Sequence, residues 1–236
     1  MGRIFEVRKS TMFARYDRMA KQFSRIGKDI VIAVKKGGPD PDTNPMLRRV
    51  MQNGKAVNMP KDRIDSAIKN ALGKDTSNYD EVLYEGYAPH GIAVLVVTAT
   101  DNTTRTVANV RMHFNKTGGS LGNSGSVAFM FKHLGMFKLN PQGLSADDLE
   151  LELIDAGLEE LGEDADGNLI VRCGFNDFGN MMKALEERGI TPISSEIEWI
   201  PENTISLSEE QAEEVFKLIA RVEEDDDVQQ VFHNMA

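Results

Sequence analysis

The stretch MFKLNPQGLSADDLELELIDAGLEELGEDADGNLIVRCGFNDFGNMMKALEERGITPISSEIEWIP, residues 136–201, decides the fold. Its patterning predicts a strand (Met136–Leu139), a helix (Ser145–Ala156), a strand (Leu158–Glu163), a turn at Asp166-Gly167, a strand (Leu169–Cys173), a helix (Asp177–Arg188) and a strand (Pro192–Pro201). That βαββαβ order is the ferredoxin-like pattern, a split βαβ unit. Downstream, Ser208 to Val222 reads as a capped amphipathic helix, and Val228 to Phe232 as a short strand. Upstream, Glu81–Tyr87 and Ile92–Thr100 are rich in β-branched and aromatic residues and read as strands. Asp101-Asn102-Thr103-Thr104 caps a helix running to about Asn115, Gly118-Gly119 ends it, and Ser126–Phe131 reads as another strand. The helix and strand left over at the end complete the earlier unit. The expectation is therefore a domain made of 79–132 plus 202–236, with 133–201 inserted into it.

Residues 1–78 have a different grammar. Met19, Phe23, Ile26, Ile30, Ala33 and Val34 recur at helical spacing, and Gly37-Gly38-Pro39-Asp40-Pro41 ends that helix. A second helix starts with Asn44 as N-cap and Pro45 in the first turn, with Leu47, Val50, Met51 and Val57 apolar. A third begins at Met59-Pro60 and carries Ile64, Ala67, Ile68, Ala71 and Leu72. Lys74 to Asn78 reads as a linker. The fold class is thus α plus α/β and multidomain: an N-terminal three-helix domain (1–78) followed by two α+β domains, at least one of them ferredoxin-like.

The net charge of −10 conceals an asymmetry. Residues 1–75 carry 17 Lys and Arg against 8 Asp and Glu, a net of +9, whereas residues 76–236 have a net of −19. A split of this size points to one part that faces polyanions and one that does not. The candidate nucleic-acid contacts are Arg8, Lys9, Arg15, Arg18, Lys21, Arg25, Lys28, Lys35, Lys36, Arg48, Arg49, Lys55 and Lys61. Long cationic side chains on helices suit a phosphate backbone, where binding is driven by counterion release and carries no sequence information. No zinc finger, basic zipper or recognition helix is evident, so base-specific readout is not expected.

Other chemistries find little support. The four histidines, His90, His113, His133 and His233, share no metal-ligand spacing with one another or with Cys173. Asp164-Ala165-Asp166-Gly167-Asn168 resembles the opening of a calcium loop, but Phe175 stands where the closing Glu belongs, and a hairpin turn is expected instead. The acidic run Glu223–Asp227 reads as a solvated helix end. The glycine-rich stretch Gly118–Ser126 follows a helix and precedes a strand, the reverse of a phosphate-cradling loop. No cofactor, metal site or catalytic constellation is expected, and an enzyme is the least favoured reading. With no apolar run of membrane length, no secretory-type stretch after Met1 and a single cysteine, a cytoplasmic protein is expected.

The segments Gly37-Gly38-Pro39-Asp40-Pro41 through Asn44-Pro45-Met46-Leu47-Arg48, Lys55-Ala56-Val57-Asn58-Met59-Pro60-Lys61-Asp62, Tyr84-Glu85-Gly86-Tyr87, Thr100-Asp101-Asn102 with Arg105-Thr106-Val107, Gly118-Gly119 through Gly125-Ser126-Val127-Ala128-Phe129-Met130-Phe131, and Asp225-Asp226-Asp227-Val228 form a set of motifs. Together they resemble the YebC family. The chain departs from the usual family start, having Gly2-Arg3-Ile4-Phe5-Glu6, and Gly54 stands where Ala is usual. The resemblance implies a helical domain plus two α/β domains, and members are generally described as DNA-binding transcriptional regulators. The family also includes a mitochondrial translational activator, and bacterial members are linked to translation of proline runs. Three functions follow as expectations: a DNA-binding transcriptional regulator first, a ribosome-associated factor on ribosomal RNA second, and an adaptor whose acidic domains bind basic protein surfaces third. The resemblance also marks Arg48, Asn58, Lys55 and Lys61 in the helical motif. In the middle-domain motif it marks Arg105, Gly118, Gly119 and Gly125, a candidate partner-contact loop.

Overall fold

The computed structural model describes residues 3–73 and 78–236, with side chains from residue 18 onward. It divides into two compact units, Met1–Tyr79 and Asp80–Ala236.

The first unit is helical: α1 (Arg3–Gly37), α2 (Pro45–Ala56) and α3 (Lys61–Ala71). α1 is 35 residues long and starts well before the periodic stretch read at Met19; residues 3–18 contain no Gly or Pro to stop it. Its second half meets the other two helices through Ile26, Ile30, Val31, Ala33, Val34, Leu47, Val50, Met59, Ile64 and Ala71. Asn44 is buried at the α1–α2 turn. Its Oδ1 accepts from the Leu47 amide while its Nδ2 donates to the carbonyls of Ala33 and Gly38. One side chain thus caps α2 and ties it to the end of α1. Gly54 is buried too, and a Cβ there would sit 3.2 Å from Ile64 Cδ1. The missing methyl lets two helices approach closely.

The second unit holds two four-stranded antiparallel sheets. β1 (Asp80–Tyr87) and β2 (Ala93–Thr100) form a hairpin, followed by α4 (Thr103–Lys116) and the short β3 (Ser120–Leu121). Then come β4 (Phe131–Leu139), α5 (Ala146–Leu153), β5 (Leu158–Glu163), β6 (Leu169–Gly174), α6 (Phe178–Glu187) and β7 (Ser194–Pro201). Their order in the sheet, β5-β6-β4-β7, is the ferredoxin-like arrangement expected from residues 136–201. α7 (Glu209–Glu223) and β8 (Val228–His233) finish the chain, and β8 pairs with β2, closing the first sheet as β3-β1-β2-β8. α4 and α7 cover one face of that sheet through Val94, Val96, Val110, Phe114, Val215, Leu218 and Val222. On the other face Ala93 and Leu95 meet Val127 and Phe131, with Trp199 and Phe232 packed alongside.

Two expectations change here. Ser126–Phe131 is not a strand: Ala128–Met130 form a short 3-10 turn, and β4 starts at Phe131 and runs through His133 to Leu139. The cause lies across the sheet. The Glu85 carboxylate accepts from the amides of Gly125, Val127 and Ala128 at 2.6–2.8 Å, so those donors are not available for a strand ladder.

Candidate nucleic-acid interface

Why the first unit presents cations follows from its apolar spacing. One side of each helix enters the shared core, which leaves the charged positions outside. Arg18, Lys21, Lys35, Lys36, Lys55 and Lys61 are exposed, while Arg25, Lys28, Arg48 and Arg49 are half-buried. Arg8, Lys9 and Arg15 fall on α1 but outside the described side chains. Several cations also serve the fold. Arg48 Nη1 donates to the carbonyls of Pro41 and Asp42, bracing the turn before α2. Lys35 Nζ donates to Asn78 Oδ1 at 2.6 Å, and Lys28 Nζ lies 5.2 Å from the Tyr79 ring centroid. Neither contact removes the positive charge from the surface. Asn58 takes a left-handed backbone (φ 58°) after α2, and its amide donates to the Lys55 carbonyl, so its role in the matched motif is to end a helix. Reading charge along the sequence missed Arg63, whose Cζ lies 5.7 Å from the Phe23 ring centroid. Its signal is tertiary, because Phe23 and Arg63 belong to different helices.

The middle-domain motif has an architectural part to play. Gly118 and Gly125 adopt φ of 79° and 84°, a region that favours glycine. A Cβ on Gly119 would lie 2.7 Å from the Tyr87 carbonyl oxygen. The loop does cradle an anion through its amides, but that anion is the protein's own Glu85, only 3% exposed. Burial pushes the Glu85 carboxyl up, yet the amides of Gly125, Val127, Ala128 and Ser126 outweigh it and hold it below the usual carboxylate range.

Arg105 and the acidic run are likewise joined internally. Arg105 Nη2 donates to Asp101 Oδ1 at 2.8 Å and to Asp227 Oδ2 at 2.7 Å, and the hydroxyls of Thr100 and Thr106 donate to the same Asp227 oxygen. Hydrogen bonding to Asp227 and then to Asp101 raises the Arg105 guanidinium above its ordinary range. Glu223, Glu224 and Asp226 are the exposed helix end expected of the acidic run, whereas Asp227, 5% exposed, is a buried anchor joining β2, α4 and the start of β8. Beside it Arg105, Asn109, Met112, His113 and Glu224 to Asp227 line a cavity of about 550 Å³.

The remaining suspects have structural roles. Asp164 closes the β5–β6 turn by accepting from the amides of Asp166 and Asn168, with Lys138 paired to it. His133 stacks between Phe175 and Trp199, each 4.0 Å away between centroids. Burial lowers its proton affinity and pushes the Cys173 thiol up to about 11, out of the reactive range. Among the described residues no group of His, Cys, Asp and Glu could hold a metal, and no helix is long and apolar enough to cross a membrane.

Comparison with known proteins covers nearly the whole chain. The family description "TACO1/YebC protein N-terminal domain" matches residues 3–74, and "TACO1/YebC second and third domain" matches residues 79–235. Among similar proteins, one from Myxococcus xanthus is 59% identical over the full length of both chains. One from Flavobacterium johnsoniae is 56% identical over 100% of this chain and 99% of its own; both are named "Probable transcriptional regulatory protein". A crystal structure of a conserved hypothetical protein from Aquifex aeolicus superposes with a TM-score of 0.77 at 36% identity, over 92% of this chain and 90% of that one.

Proposed function

The chain belongs to the TACO1/YebC family, and from that premise we propose that it is a non-enzymatic, cytoplasmic regulator of gene expression that binds nucleic acid through its helical unit. The observation that carries the reading is the placement of charge. The unit Met1–Tyr79 carries the net +9, while the unit Asp80–Ala236 carries −19. Exposed Lys21, Lys35, Lys36, Lys55 and Lys61 can reach phosphate oxygens, whereas the acidic unit is repelled by them. The names of the relatives favour a regulator of transcription acting on DNA.

Sedimentation of cell lysate through a sucrose gradient tests the target. A protein that stays at the top of the gradient while shifting promoter DNA at near-physiological salt acts on DNA. Comigration with ribosomes that vanishes at high salt identifies ribosomal RNA as the polyanion instead. Function that survives loss of Lys21, Lys55 and Lys61 together would overturn the reading and leave the acidic unit as the working part.

A further inference from the structure

Phosphate-seeking cations need only reach and charge, but one cation of the helical unit has more than that. Phe23 is half-buried on α1, its ring packed against the Ile26–Ile64 core. Arg63, exposed on the first turns of α3, holds its guanidinium carbon 5.7 Å from the centre of that ring. A guanidinium is planar, weakly hydrated and charged at every accessible pH, and it stacks on flat π systems as readily as it donates to phosphate. The ring beneath restricts its rotamers, so less freedom is lost when a ligand arrives. Asp62 and Asp65 flank it in sequence but are turned about 100° and 200° away around the helix. Lys28 has a comparable relation to Tyr79, at 5.2 Å, but an ammonium has no plane to offer.

We infer that Arg63 and Phe23 form a stacking platform for an unpaired base, so that the nucleic acid crossing this point of the helical unit is single-stranded. The inference rests on the reading that the unit binds nucleic acid, and it narrows the ligand class. A duplex keeps its base faces inside its own stack and has none to place on such a platform, whereas unpaired bases stack on aromatic rings and on Arg planes alike.

The test uses the full-length chain and fluorescence anisotropy with two labelled strands of equal length, oligo-dT and an abasic strand carrying the same phosphates. Arg63→Lys keeps the charge and removes the plane; it is expected to weaken oligo-dT binding about five-fold or more while leaving the abasic strand unaffected. Phe23→Leu, which keeps the core filled, is expected to show the same selective loss. Equal weakening of both strands, or no weakening of either, overturns the platform while leaving the nucleic-acid reading standing. Failure of the unsubstituted protein to bind either strand in dilute buffer overturns the platform, and failure to bind duplex DNA of the same length as well overturns the nucleic-acid reading with it.

Discussion

The helical unit and the sheet unit use charge in opposite ways. In Met1–Tyr79 the one buried polar side chain among the described residues is Asn44, which is uncharged, and the cations lie on or near the surface. In Asp80–Ala236 two carboxylates, Glu85 and Asp227, are 3% and 5% exposed and accept from amides in the one case and from hydroxyls and a guanidinium in the other. A buried carboxylate is tolerable only when donors replace its water, and each of these collects several from segments distant in sequence. The first unit therefore keeps its charge at the surface, while the second uses part of its charge to hold its own loops. Net charge alone does not show this difference; the position of each charge does.

The largest expected effect breaks that contrast on the sheet side. Glu85→Ala leaves the amides of Gly125, Val127 and Ala128 without their acceptor and is expected to cost about 2–4 kcal/mol by denaturant unfolding. A loss below about 0.5 kcal/mol would mean that the glycine loop holds itself. The same residue sets a pH dependence. Because the folded carboxyl lies below its ordinary value, its contribution is complete above the unfolded value, near 4.5, and drains away as pH falls through the folded one. Glu85→Gln should flatten that acid limb in a stability-against-pH curve. Next in size, Asp227→Asn keeps the volume but removes the charge facing Arg105, with an expected loss of about 1–2 kcal/mol in the same measurement. Smallest on this scale, Lys21, Lys55 and Lys61 changed together to Gln should move the thermal midpoint little, each surface site contributing within about 0.5 kcal/mol. A large drop would show these lysines to be structural and erase the contrast.

Local chemistry was legible in the sequence. Asn44 and Asn102 cap α2 and α4, and Ser208 with Gln211 forms the capping box of α7, each capping bond spanning fewer than four residues. The ferredoxin-like order of residues 136–201 was equally clear, since every element carries its own periodicity and stop signal. What stayed hidden depends on pairs remote in the chain. Ser126–Phe131 has strand composition, but Glu85, some 40 positions earlier, takes its amides. Arg105 looked available until Asp227 met it across 122 positions. Arg63 stands beside acidic neighbours in sequence and becomes notable only when α3 lies against Phe23. The cations of the helical unit were readable as charge, though not as to which of them, such as Arg48, also brace a turn.

Affinity of the full-length protein for labelled DNA or RNA, followed as salt rises, tests the central claim most directly. With about five phosphates neutralised, the log-log slope is expected to lie at about −3.5 to −4.5, and changing Lys21, Lys55 and Lys61 to Gln should make it shallower by roughly 2 to 3. An affinity indifferent to salt, or a slope that the three substitutions leave untouched, would contradict the assignment of the helical unit as the nucleic-acid-binding face.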